Sequence, residues 1–228
     1  MVVTVLDTPP LRDAIAHAAD PARARGVIAR VLDAHPALTD ELVQLDTMRD
    51  ALVTVACASR SLSSALVADP WLHGVLRESR ESLTHLRTVD EHEQRRRDTF
   101  QADPPPGSPD GAPDPRALLR RWKRRELLRI AVRDLLGIAP LVEVGAELAS
   151  LAQTCLAGAL EIAAPAVPLA VIGMGKLGGR ELNYASDVDV LFVHEGVAAD
   201  ADRAARELLA VMAAPSADAR TSGDASGR

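Results

Sequence analysis

One short window constrains this chain more than any other. An apolar run, Leu169 to Ile172, enters a glycine-dense turn from Gly173 to Gly179 that holds Lys176, and Ser186-Asp-Val-Asp189 then leads into a second apolar run, Val190 to Val193. Two apolar runs this short, separated by glycines, read as strands. If the second strand includes the aspartates, side chains alternate along it, so Asp187 and Asp189 project together while Val188 and Val190 point into the core. Two carboxylates side by side on a buried strand repel each other and lose hydration, and a divalent cation between them offsets both effects. The glycines let backbone approach an anionic group closely, and Lys176 supplies a counter-charge. A cation on one side and a phosphate on the other are what nucleotidyl transfer requires.

Two commoner glycine motifs fit less well. A phosphate-binding P-loop needs glycine where Ala170 stands and a hydroxyl residue where Leu177 stands. The spacing Gly173-Met-Gly175-Lys-Leu-Gly178 satisfies the dinucleotide pattern, with Glu195 at a tolerable distance beyond it. A dinucleotide unit, however, needs a full crossover helix before its next strand. Between Gly179 and Asp187 there is room for about two helical turns at most, and the Asp187/Asp189 pair would be left unexplained.

At these residues the chain resembles the bifunctional glutamine synthetase adenylyltransferase/adenylyl-removing enzymes, members of the polymerase β-like nucleotidyltransferase superfamily. The matching window is Gly173-Met-Gly-Lys-Leu-Gly-Gly-Arg-Glu-Leu-Asn-Tyr-Ala-Ser-Asp-Val-Asp189, and the likeness extends back through Leu118 to Gly137 and, more weakly, through Ala58-Ser-Arg-Ser-Leu62 and Asp69-Pro70. The Ala/Arg-rich composition is similar to that of the actinobacterial branch. The resemblance implies two such cores in tandem in the whole family protein. The first removes AMP from an adenylylated tyrosine of glutamine synthetase by phosphorolysis to ADP, and the second attaches AMP from ATP. Gly173-Met-Gly-Lys176 with Glu181-Leu-Asn183 resembles the first. On that likeness Asp187 and Asp189 are the catalytic residues and bind Mg²⁺, two ions about 3.5–4 Å apart. Gly173, Gly175, Lys176, Gly178, Gly179 and Ser186 hold the nucleotide or phosphate. The implied partners are glutamine synthetase, ATP or ADP, phosphate, and a PII-type signal protein, in a cytoplasmic setting. Family proteins are several times longer, and the superfamily takes a third carboxylate from a later strand for which nothing here qualifies. The expectation is therefore an α+β chain, mainly helical and then carrying the truncated start of a nucleotidyltransferase sheet, that alone turns over poorly or not at all. AMP transfer in the opposite direction, or an inactive helical fragment that binds glutamine synthetase or a signal protein, are the alternatives.

The remaining sequence divides into four stretches. Residues 1–97 read as packed helices, with Asp20-Pro21 and Asp69-Pro70 as start signals. Residues 98–115, rich in proline, glycine and aspartate, read as a linker. Residues 116–212 hold a basic helix ending near Gly137, a helix over about 141–162, the two strands, and a helix from Asp200. Residues 213–228 read as disordered. Aromatic residues are only 2% of the chain, so the core must come from Leu, Val, Ile and Ala, which suits helices. A net charge of −6 argues against nucleic-acid binding, and no apolar run is long enough to span a bilayer. The arginines of 116–133 read as a solvated face with Leu119, Trp122, Leu128 and Leu135 turned inward, one or two pairing with acidic residues. The six histidines show no metal-ligand spacing and read as surface or cap residues. Asn183 and Tyr184 read as support for the turn, with His194 a minor site candidate.

Overall fold

The computed structural model describes residues 5–101 and 114–213; the tail and most of the expected linker lie outside the described residues. From Pro9 onward the helices are α1 (Pro9–Ala16), α2 (Pro21–Ala34), α3 (Thr39–Gln44), α4 (Asp46–Ala58), α5 (Arg60–Ala68), α6 (His73–Leu76), α7 (Arg80–Thr84), α8 (Val89–Gln101), α9 (Pro115–Leu135) and α10 (Leu141–Ala163). Then follow β1 (Leu169–Gly173), the short helix α11 (Gly175–Gly178), β2 (Val190–His194) and α12 (Ala198–Ala213). Mostly helix with one small antiparallel sheet, the chain is α+β. Among the described residues no helix is long and apolar enough to cross a membrane.

Two compact units emerge, and they are discontinuous where the sequence suggested consecutive segments. One comprises residues up to Leu86 together with Arg125–Val144; the other comprises Arg87–Arg124 together with residues from Gly145 onward. In the first, α2, α5, α7 and the short 3-10 helix Pro70–Leu72 start where a side chain accepts an orphan backbone N–H. Asp20 accepts from Arg23, Ser59 from Leu62, Asp69 from Trp71 and Ser79 from Ser82, with proline following both aspartates. The apolar faces of the helices, Val27, Ile28, Val31 and Leu32 on α2 and Met48, Leu52 and Val55 on α4 among them, form one aliphatic core.

That core also swallows charge. Arg129 and Arg133, expected on a solvated face, are buried. Arg129 donates to Glu78 Oε2 at 3.1 Å and to the carbonyls of Ser82 and His85 at 3.0 and 2.7 Å. Arg133 donates to the Leu83 carbonyl at 2.7 Å and to Glu143 at 3.3 Å. The two guanidiniums thus satisfy the carbonyls left open at the C-terminus of α7, which a solvated face could not do. Leu135 is correspondingly 37% exposed, not turned inward. His73 and His92 are likewise buried rather than on the surface.

In the second unit α8 runs to Gln101, past the expected start of the linker at 98. Its last turns are polar and held by i,i+4 contacts, Arg97 to Glu93 and Gln94 to Asp98, so an apolar face is not needed to continue it. Gly158 of α10 permits close packing: a Cβ there would lie 3.1 Å from Leu119 and 3.2 Å from Arg96. Buried Arg96 binds Glu93 and Glu161 at 2.6 and 2.8 Å beside it.

Candidate functional site

The sheet pairs β1 and β2 antiparallel, with Val171 opposite Phe192 and Gly173 opposite Val190. One further bond extends the ladder: Met174 N–H donates to the Asp189 carbonyl at 2.8 Å. This bond clamps the glycine turn directly against the Asp187-Val-Asp189 segment. Gly175 then takes φ +51°, a left-handed conformation that a side chain disfavours. A Cβ on it would stand 3.1 Å from Asp189 Oδ2, so the carboxylate lies over bare glycine backbone.

The other glycines serve the turn itself. A Cβ on Gly178 would meet the Gly173 carbonyl oxygen at 2.8 Å, and one on Gly173 would meet Leu177 Cγ at 2.8 Å. These two positions let the chain fold back on itself, whatever else approaches. Gly179 sits beside Glu181, where a Cβ would be 3.2 Å from Oε1. Lys176 is exposed on α11.

The aspartates do not occupy the strand. β2 begins at Val190, and Asp187, Val188 and Asp189 precede it, all three exposed. The expected alternation with Val188 in the core is therefore replaced by an irregular approach to the strand. The cause is local: β1 ends at Gly173, and the turn at Gly175 removes the partner that residues 187 and 188 would need. Exposure changes the energetics too, since solvated carboxylates do not require a cation to be tolerated. Ser186, expected at a phosphate, accepts the Asn183 N–H at 3.0 Å through its hydroxyl oxygen and so closes the preceding turn. Asn183 in turn accepts the Ala185 N–H at 3.0 Å. The Ser186 hydroxyl proton remains available to a ligand.

Three anchoring residues were not legible as such. Arg180 stands at φ +58°, ending α11, and donates to Ser150 Oγ of α10 at 3.0 Å. Gly145, interior to α10, admits the Leu182 carbonyl to 3.3 Å of where its Cβ would be. A glycine inside an otherwise apolar helix was the available signal for that close approach; no pattern marks Arg180 or Ser150. Behind the turn, α10 and β1 enclose a pocket of about 490 Å³ lined by Leu156, Leu160, Val171 and Gly178, among others. Neither aspartate nor Lys176 lines it.

The donor set suits a hard divalent cation in kind. Mg²⁺ is commonly held by one or two carboxylates, with water and substrate phosphate completing its shell, and Asp187 and Asp189 offer two. Among the described residues no group of three or more His, Cys, Asp or Glu side chains is placed to hold a metal.

Residues 49–213 match the model of the glutamate-ammonia ligase adenylyltransferase family. A bifunctional glutamine synthetase adenylyltransferase/adenylyl-removing enzyme of Streptomyces coelicolor is 40% identical over 91% of this chain and 20% of its own length. Proteins of the same description from Streptomyces avermitilis and Nocardia farcinica are 40% and 42% identical, over 82% and 43% of this chain and 18% and 11% of theirs. The chain thus spans about a fifth of the length of the first of these relatives.

Proposed function

Because this chain belongs to the glutamate-ammonia ligase adenylyltransferase family, we propose that it carries the cation- and phosphate-holding part of an adenylyl-removing site acting on glutamine synthetase. The observation that carries the reading is the clamp between Met174 and Asp189, which sets a carboxylate over the bare backbone of Gly175 next to Lys176. The likeness of Gly173-Met-Gly-Lys176 and Glu181-Leu-Asn183 to the first of the family's two cores supports removal over attachment, and with it a polymerase β-like nucleotidyltransferase fold.

In the proposed reaction an oxygen of inorganic phosphate attacks the phosphorus of the adenylyl-tyrosine linkage. The new P–O bond forms as the bond to the tyrosine oxygen breaks; that oxygen takes up a proton, and the products are ADP and unmodified glutamine synthetase. Asp187 and Asp189 would hold Mg²⁺, which when bound neutralises charge developing on the phosphoryl oxygens. Lys176 attracts and orients the attacking phosphate, and the bare backbone at Gly175 allows its close approach. The Ser186 hydroxyl is free to donate to a phosphate oxygen while it accepts from Asn183. Catalysis of this kind rests on alignment and charge, with no covalent role for the protein. Glutamine synthetase, ADP or ATP, phosphate and a PII-type signal protein are the partners this reading assigns, in the cytoplasm.

The test is metal binding followed by direction. Mn²⁺ binding, read by paramagnetic relaxation, is expected in the native chain and is expected to be lost in Asp187→Asn with Asp189→Asn, while far-UV circular dichroism stays unchanged. Unaltered Mn²⁺ affinity in that variant would remove the carboxylates from the site. Incubation with adenylylated glutamine synthetase, Mg²⁺ and phosphate is expected to release ADP slowly. Incorporation of AMP from ATP in its place would reverse the assigned direction.

A further inference from the structure

A second cluster of charge lies in the first compact unit and uses none of the residues of the glycine turn. Helices α2 and α5 line a pocket of about 560 Å³. Arg23, Gly26 and Arg30 reach it from α2, and Arg60 and Ser64 reach it from α5. Spacings of three and four put each set on one helix face. The lining thus carries three guanidiniums and no carboxylate.

This arrangement departs from the habit of the chain, in which Arg77, Arg96, Arg129 and Arg133 each meet a glutamate. Among the described residues Arg23, Arg30 and Arg60 form no such pair, and Nη2 of Arg23 is buried with no hydrogen-bond partner. A buried donor without an acceptor forfeits its hydration, and three like charges around one pocket repel. An oxyanion relieves both. Guanidiniums suit that task because their forked N–H groups match phosphate and carboxylate oxygens two at a time.

Gly26 adds an independent mark. It lies in the interior of α2, where glycine weakens a helix relative to alanine. A Cβ there would meet nothing within 4 Å, so packing inside the chain does not call for glycine. What its absence of side chain does is leave the pocket wall bare. The volume falls in the range of small-molecule sites, and the Ser64 hydroxyl adds a neutral donor. With no aromatic side chain in the lining, recognition rests on the anionic group and not on stacking.

We infer that the α2–α5 pocket binds a multiply charged oxyanion, a phosphate or polyphosphate group carried by a small ligand. Isothermal titration of the full chain with inorganic pyrophosphate, without divalent metal, tests this. One saturable site is expected, weakened at least tenfold in Arg30→Gln with Arg60→Gln and retained in Lys176→Gln. Both of those arginines are exposed and unpaired, so the double variant should fold normally by circular dichroism. Gly26→Ala is expected to raise the thermal midpoint of the free chain while weakening pyrophosphate, a pairing that a purely structural glycine would not give. Titration with citrate separates the two oxyanion chemistries, and tighter binding of citrate would reassign the pocket to a polycarboxylate. Absence of saturable binding, binding undiminished in the double arginine variant, or binding lost only in Lys176→Gln would each overturn the inference.

Discussion

Gly178 shows how one missing side chain fixes a turn. A Cβ there would come to 2.8 Å from a backbone oxygen, that of Gly173, which cannot swing aside as a side chain can. Gly178→Ala should therefore cost about 1–3 kcal/mol locally, read as faster native-state amide exchange at Val171 and Phe192, whereas Lys176→Ala on the same short helix should leave those rates unchanged. His73 shows the opposite case, a polar group held in the core. Its ring is buried, its Nε2 bonds the Leu66 carbonyl at 2.8 Å, and it meets His35 edge-on at 4.6 Å. Burial, reinforced by His35 and Arg77 nearby, lowers its pKa below the ordinary 6.5 despite the carbonyl bond and Asp69. The unfolded chain therefore binds a proton that the folded chain resists. The stability contributed is full above about pH 6.5 and declines as pH falls from there toward the lower folded value. Urea midpoints should drop between pH 7 and 5.5, and His73→Gln should flatten that slope. A loss confined to lower pH would instead point to carboxylates such as Glu41, whose pKa is held below 4.5 by the Arg77 hydrogen bond.

Among the elements, the sheet is the least protected. Its inner face (Leu169, Val171, Val190 and Phe192) is half-buried, but Ile172 and Leu191 pair across the strands on the other face at 44% and 52% exposure. Two strands alone are marginal in water, and here α10, α11 and α12 belong to the same compact unit. Ile172→Thr with Leu191→Thr should thus be cheap, under about 1 kcal/mol each, because threonine keeps the β-branch of Ile172, gives position 191 one that suits a strand, and little burial is lost. Thermal denaturation checks this. A cost like that of emptying a core position such as Leu66, roughly 2–5 kcal/mol, would mean that the face is covered in solution. The sequence announced both strands through their apolar runs and the flanking glycines. The apolar run placed the start of β2 at Val190, but whether Asp187 and Val188 join the ladder, as the shared-face expectation required, depends on what Gly175 does to the opposite strand.

At the scale of the whole molecule, protection should follow burial within each unit. The helices α2 and α4 are buried along continuous aliphatic faces, whereas β1, α11 and β2 hold few fully buried residues beyond Leu177. Hydrogen exchange should accordingly be slowest at Ile28, Val31, Leu52 and Val55 and faster by orders of magnitude at Ile172 and Leu191. Equal protection in the two sets would show that the sheet opens only with global unfolding. The sequence by itself determined the helical periodicity, the capped starts at Asp20 and Asp69, the stop at Gly137, and the glycine turn facing an Asp-x-Asp segment. All of these are local, encoded in side-chain spacing, proline geometry and the absence of a Cβ. Only the tertiary structure decided that Arg129 and Arg133 go inside to cap α7, that Arg180 ties the turn to Ser150, and that Arg23, Arg30 and Arg60 converge on one pocket. Those outcomes depend on which carbonyls, hydroxyls and charges distant segments bring together, and no short stretch of sequence carries that pairing.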